Sequence, residues 1–281
     1  MRPRRRRTLV NGVHLAVETR GDGSPLVLLH GFTGSTATWA PIARALSTRF
    51  LTVAIDLLGH GRSDAPGDPE RYGIARSAAD LLAVLDRLEL PQVSVLGYSM
   101  GGRLALFLAS AAPERVRALI VESASPGIAG EADRQVREAQ DAALAASIER
   151  EGVPAFVDRW EGHPLFATQC RLSRATRARL RAQRLVHTAH GLANSLRGMG
   201  QGAQPPLHDR LCAIRAPALV VVGELDAGYC AIGRELTRLI PGARFVVAAG
   251  AGHAVHLEQP ETFRRIVSEF LTEVTASPPA R

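Results

Sequence analysis

The segment Gly97-Tyr98-Ser99-Met100-Gly101-Gly102-Arg103 constrains this chain more than any other. A β-branched apolar run, Val93 to Leu96, leads into it, and an apolar run with helical spacing, Leu104 to Ala112, leads out. A strand that reverses into a helix within so few residues leaves no room for side chains beside the turn. Glycine therefore stands on either side of the serine, whose hydroxyl is left exposed at the strand's end. A lone G-x-S-x-G is a weak signal, but here both the strand before it and the helix after it are present.

The rest of the chain keeps the same rhythm. Thr8 to Glu18 alternates about Asn11-Gly12, which signals a hairpin. Short apolar strands are predicted at Leu26–Leu29, Leu51–Ile55 and Val116–Val121, with helices at Thr38–Leu46 and Ile74–Leu88. Strands alternating with helices imply an α/β protein with a mostly parallel sheet covered on both faces. From about Gly127 to Gly202 no strand pattern is found, and Ala132–Arg150, Pro154–Trp160, Ser173–Leu185 and Leu192–Leu196 have helical spacing. Strands resume at Pro217–Val222 and Arg244–Ala248, with helices at Ile232–Leu239 and Pro260–Val274. Pro260 suits a first helical position. The expected organisation is a core in two parts, 1–126 and 204–275, a helical lid over 127–203, and a disordered tail, 276–281. Helices inserted beyond the strands' C-terminal ends would cover a site there.

Composition excludes some chemistries. The 281 residues carry a net charge of +7, and the sequence contains no lysine, so Schiff-base and P-loop lysine chemistry are ruled out. The arginines are scattered and aromatic residues make up only 5%, so stacking platforms are scarce and no nucleic-acid partner is expected. The one dense run, Arg4 to Arg7, is expected to be a solvated, frayed terminus. Three cysteines without C-x-x-C spacing read as inert thiols in a reducing compartment. With no apolar signal region and no run of membrane-spanning length, a cytoplasmic protein without membrane insertion is expected, as a monomer or weak homo-oligomer.

A serine becomes reactive when a histidine takes its proton and an acid orients that histidine. In α/β folds bearing this elbow the chain order is serine, acid, histidine. Asp226 follows the strand Pro217–Val222, and His253 follows Arg244–Ala248, so both fall on the rim that carries Ser99. Glu224 and Glu122 are rival acids, and His256, three residues past His253, is read as an orienting or packing residue. An oxyanion hole needs two backbone N–H groups aimed at one point. Met100, after the serine, supplies one; Phe32, in the loop His30-Gly31-Phe32-Thr33-Gly34, is the candidate for the other. His30 is read as a structural hydrogen-bonding residue of that loop.

The fold and this residue set resemble the α/β-hydrolase superfamily. Several strings carry a narrower resemblance, to the 2-succinyl-6-hydroxy-2,4-cyclohexadiene-1-carboxylate synthase family of menaquinone biosynthesis. They include Tyr98 to Arg103, Glu122 to Gly127, Phe156 to Glu161, Pro164 to Phe166, Gly191 to Gly200 and Gly250 to Glu258. The resemblance implies a lyase that eliminates pyruvate from a tricarboxylate, with no metal or organic cofactor. It also implies that Arg103, Arg137 and Arg184 bind carboxylates, with Arg134 and Arg181 as rivals in the lid, and that Tyr98, Trp160 and Phe166 line the pocket. Arginine suits such a substrate because its planar fork binds carboxylates bidentately. The chain departs from the family at Gly228 and Tyr229, where a lysine and an aromatic are frequent; that position is expected to contribute shape only. A carboxylesterase, thioesterase or carbon–carbon bond hydrolase is the alternative reading, and a binding protein with little turnover is a third.

Overall fold

A computed structural model describes residues 2–276. Eight strands form one sheet in the order β1-β2-β4-β3-β5-β6-β7-β8. They are β1 (Arg4–Val10), β2 (Val13–Arg20), β3 (Ser24–Leu29), β4 (Phe50–Ile55), β5 (Val93–Tyr98), β6 (Val116–Glu122), β7 (Ala218–Gly223) and β8 (Arg244–Ala248). The β1–β2 and β2–β4 pairs are antiparallel, and every other pair is parallel. The hairpin turns at Asn11 and Gly12, both at positive φ, as its tight loop requires.

Helices cover both faces. They are α1 (Ala40–Leu46), α2 (Ile74–Arg87), α3 (Met100–Ala111), α4 (Glu131–Glu161), α5 (Arg174–Leu185), α6 (Ala189–Met199), α7 (Ala227–Leu239), α8 (Val255–Glu258) and α9 (Pro260–Ala276). Strands β3 to β7 are buried almost throughout, as a parallel sheet packed on both sides demands. Their side chains divide into two apolar clusters, one with α2, α3 and α7 and one with α1 and α9. A third cluster, which includes Ile148, Phe156 and Leu192, joins α4 to α6.

Three sequence expectations change. Arg4 to Arg7 is not frayed: it is strand β1, paired from Arg4↔Thr19 to Val10↔Val13, with its arginine side chains exposed. The backbone pairing comes from β2, a partner that local composition does not reveal. The helix predicted from Thr38 begins as a 3-10 turn, Thr36–Trp39, capped by Ser35, before α1. The two lid helices predicted as Ala132–Arg150 and Pro154–Trp160 do meet at a break: within α4, Gly152 takes the non-helical φ 80°, ψ 166° just before Pro154. Ala276, assigned to the tail, ends α9, while 277–281 lie outside the described residues. No helix of the described residues is long and apolar enough to cross a membrane.

The elbow depends on missing side chains. A Cβ on Gly97 would lie 2.3 Å from the Gly101 carbonyl oxygen, and one on Gly101 would lie 2.3 Å from that of Leu29. Helix α3 thereby lies backbone-to-backbone on β3 and β5, and Ser99 is forced to φ 50°, ψ −110°, a region costing a non-glycine residue about 1–3 kcal/mol. Gly101→Ala should therefore lose about 1–3 kcal/mol through overpacking, although helix propensity alone predicts a gain of about 1 kcal/mol. Urea unfolding midpoints decide between the two, and a stabilised variant would contradict the close-packing account.

Candidate active site

Three strand ends converge on one rim. Ser99 follows β5, Asp226 caps the start of α7 just after β7, and His253 lies in the loop after β8. The last two are locked together by backbone. Leu225 N–H donates to the Ala251 carbonyl at 2.8 Å, and a Cβ on Gly223 would meet the Gly252 carbonyl oxygen at 2.0 Å. His253 Nδ1 lies 2.7 Å from Asp226 Oδ2, and its Nε2 lies 3.1 Å from Ser99 Oγ. A carboxylate can only accept, so Nδ1 carries the proton and Nε2 is left as the acceptor for the serine hydroxyl.

The rival residues are engaged elsewhere. Glu224 accepts from Gly250 N–H at 2.8 Å and is exposed. Glu122 is fully buried and accepts from the His256 backbone N–H and ring Nδ1, each at 2.9 Å. Glu258 accepts from Gly252 N–H at 2.8 Å and Ala254 N–H at 3.4 Å, which braces the backbone on both sides of His253.

Ser99 opens into a cavity of about 590 Å³ lined by an aromatic wall, Phe32, Phe156, Trp160 and Phe166, with Tyr98 and Tyr229. Tyr98 is packed between the rings of His253 and His256, and burial raises its pKa well above the ordinary value. Tyr229 sets its ring edge-on to His253, with centroids 4.5 Å apart. Trp160 Nε1–H is buried with no hydrogen-bond partner among the described residues. Met100 and Phe32 both line the cavity. Met100 opens α3, so its N–H belongs to the unpaired first turn. The Phe32 loop abuts the serine, since a Cβ on Gly31 would meet Ser99 Cβ at 3.4 Å.

Three arginines line this cavity: Arg103, Arg137 and Arg159. Arg103 is buried, and its donors go to the carbonyls of Met199 (2.8 Å) and Gly200 (3.3 Å) and to Gln204 Oε1 (2.7 Å). Burial pushes its pKa down to about 10, so it remains cationic at neutral pH. Arg137 donates from Nε to Asp141 at 2.8 Å and from Nη1 to Gln201. Arg159 pairs with Glu151. Arg184 departs from expectation. It lies in a second cavity, over the Phe166 ring, and donates to Glu161 at 3.1 Å and Gln169 at 3.3 Å. An acid and an amide, neither conspicuous in the sequence, draw it off the Ser99 cavity. Arg134 pairs with Glu131, and Arg181 with Asp158 and Glu161.

Sequence reading passes over Arg159, Gln201 and the contact of Tyr229 with His253. Tyr229 stands three residues after Asp226, and that spacing on α7 is the one signal for it. Among the described residues no group of three or more histidine, cysteine or carboxylate side chains is placed to hold a metal ion.

A serine, histidine and carboxylate in line at the C-terminal rim of a mostly parallel sheet define the α/β-hydrolase class. The model of the alpha/beta hydrolase fold family matches residues 24–260. A Bacillus subtilis (strain 168) protein, provisionally named as a 2-succinyl-6-hydroxy-2,4-cyclohexadiene-1-carboxylate synthase, is 45% identical over 95% of this chain and 98% of its own. The synthase of that name from Serratia proteamaculans (strain 568) is 31% identical over 88% of this chain and 92% of its own. Among solved structures, MenH from S. aureus superposes with a TM-score of 0.89 at 32% identity, covering 92% of this chain and 98% of that one. The enol-lactonase of Burkholderia xenovorans LB400 gives 0.79 at 28% identity, over 95% and 100% of the two chains. The chain belongs to the α/β-hydrolase fold family and, within it, to the 2-succinyl-6-hydroxy-2,4-cyclohexadiene-1-carboxylate synthase family of lyases.

Behind the Phe32 loop, three buried histidines tie elements together. His30 Nε2 accepts from Leu57 N–H at 3.0 Å, and His187 Nδ1, from the α5–α6 connection, accepts from Gly61 N–H at 3.0 Å. The ring of His60 lies 5.0 Å from that of His30 and 5.3 Å from that of His187. Burial lowers all three pKa values, that of His30 to about 4. The unfolded chain takes up protons near pH 6.5 while the folded chain resists. Stability is thus complete above that pH and falls as the pH drops towards 4, with His30 contributing up to about 1.4 kcal/mol per pH unit. His60→Phe should flatten the fall of Tm between pH 6.5 and 4.5. A slope equal to that of the wild type would contradict the assignment.

Proposed function

We propose that this enzyme eliminates pyruvate from 2-succinyl-5-enolpyruvyl-6-hydroxy-3-cyclohexene-1-carboxylate, leaving 2-succinyl-6-hydroxy-2,4-cyclohexadiene-1-carboxylate. The observation that carries the reading is that Ser99, hydrogen-bonded to His253 and through it to Asp226, opens into the same cavity as Arg103, Arg137 and Arg159. An ester hydrolase needs an apolar acyl pocket, whereas a substrate with three carboxylates needs fixed cations.

In this reading Ser99 Oγ, with its own proton passing to His253 Nε2, removes a ring proton. Asp226 stabilises the imidazolium that forms. The C2–H electrons form the C2=C3 bond, the pair of the existing C3=C4 bond shifts to C4=C5, and the bond from C5 to the enolpyruvyl oxygen breaks. The proton held on His253 then goes to the departing enolate, which leaves as pyruvate. No bond forms between Ser99 and the substrate. Negative charge developing on the substrate is held by the N–H groups of Phe32 and Met100, the latter at the positive end of α3. Arg103 and Arg137 bind carboxylates, Arg159 adds a third cation, and Tyr98, Trp160 and Phe166 hold the ring. Helices α4 to α6 act as a lid that excludes water.

Pyruvate release, followed together with the absorbance of the conjugated diene, tests the reading. Ser99→Ala should slow elimination by at least about 100-fold while KM changes little. Unchanged turnover would remove Ser99 from the mechanism. Arg103→Ala should cost about 2–5 kcal/mol in kcat/KM if its carboxylate contact is desolvated, and a negligible loss would return Arg103 to a purely structural role. Rapid ester hydrolysis without pyruvate release would favour the hydrolase alternative.

A further inference from the structure

Gln204 is fully buried, and its Oε1 accepts from Arg103 Nη1 at 2.7 Å. Its Nε2 has no hydrogen-bond partner among the described residues. A buried donor without an acceptor carries the whole cost of its desolvation. Glutamate has the same shape. It would replace the orphaned donor with an acceptor and make the Arg103 contact a charge-assisted hydrogen bond. Charge pairing with Arg103 alone would favour glutamate at 204, yet the chain carries glutamine.

The property that glutamine preserves is the charge on Arg103. The guanidinium donates only to neutral acceptors, two carbonyls and this amide, and forms no ion pair among the described residues. Asp141 is engaged with Arg137 at 2.8 Å and with Gly202 N–H at 3.2 Å. The other two cavity arginines each have a carboxylate partner, Asp141 for Arg137 and Glu151 for Arg159. Arg103 is thus the cavity cation that is held in place without being neutralised. A buried charge of this kind is costly unless a partner arrives.

We propose that Gln204 is a specificity residue: it accepts from an Arg103 guanidinium that the Met199 and Gly200 carbonyls also hold, and because it is neutral the charge is kept for a carboxylate of the bound ligand. This rests on the reading that the cavity takes a polycarboxylate. Glutamate at 204 would occupy the ligand's electrostatic place permanently and leave the cavity's shape unchanged.

The test is calorimetric titration of the intact protein with citrate, a tricarboxylate probe, alongside kcat and KM for the elimination. Gln204→Glu should keep or raise Tm yet bind citrate at least about tenfold more weakly, with KM rising by a similar factor and kcat changing less. Gln204→Met loses the amide but not the free charge, and should bind citrate within about threefold of wild type. A merely structural role predicts instead that both variants lower Tm and leave citrate affinity alike. Equal citrate affinity in wild type and Gln204→Glu, including no binding by either, overturns the proposal. If Gln204→Glu does not fold, Arg103→Met decides, and citrate binding unchanged in that variant also overturns it. Citrate discrimination as expected, in a wild type that releases no pyruvate, would sink the synthase reading and leave this inference standing.

Discussion

The hydrogen bond from His253 Nδ1 to Asp226 Oδ2 is the contact on which the rest of the site depends. Because the carboxylate only accepts, the bond fixes the tautomer, and the tautomer turns Nε2 into an acceptor facing Ser99. The fold supplies this contact through backbone proximity rather than side-chain packing. Gly223 lets the Ala251 and Gly252 carbonyls, in the loop after β8, approach the end of β7 to a distance no Cβ would allow, and Glu258 secures the N–H groups on both sides of His253. The elbow repeats the device with Gly97 and Gly101, at the cost of a strained Ser99.

Electrostatics give this arrangement its direction. A serine–histidine–carboxylate line is neutral as to substrate, and the same line serves proton transfer or acyl transfer. What differs here is the ceiling of the cavity. Arg103 leaves the elbow helix and reaches the segment after α6, where carbonyls and a glutamine hold it without an acid. Arg137 reaches the same segment through Gln201, whose amide in turn donates to Ser125 at 3.1 Å and Tyr229 at 3.4 Å. Tyr229 then touches His253. The arginines of the cavity and the histidine beside Ser99 are thus joined through one amide and one aromatic ring.

Much of this is legible in the sequence, for a physical reason. Strand and helix periods, the G-x-S-x-G turn and the chain order of Ser99, Asp226 and His253 are local patterns, and each places its residue at a strand end. What is not legible depends on non-local partners. Arg4 to Arg7 resembles a solvated tail until β2 pairs with it. Arg184 is a cavity residue by family resemblance and Arg159 is not singled out; Glu161 and Gln169 hold the first outside, and the kink at Gly152 separates the helix turns that carry Arg159 and its partner Glu151. Gln204 carries no signal at all, because its significance is an unused donor in a buried place.

The central claim is that Ser99 carries a proton and not an acyl or glycosyl-like group. Intact-protein mass spectrometry of the enzyme, acid-quenched during turnover of the enolpyruvyl tricarboxylate, tests this most directly. The account predicts pyruvate and diene in equal amounts, with the protein at its unmodified mass at every time point. A protein fraction carrying a substrate-derived adduct at Ser99 that forms and decays at the rate of turnover would contradict it.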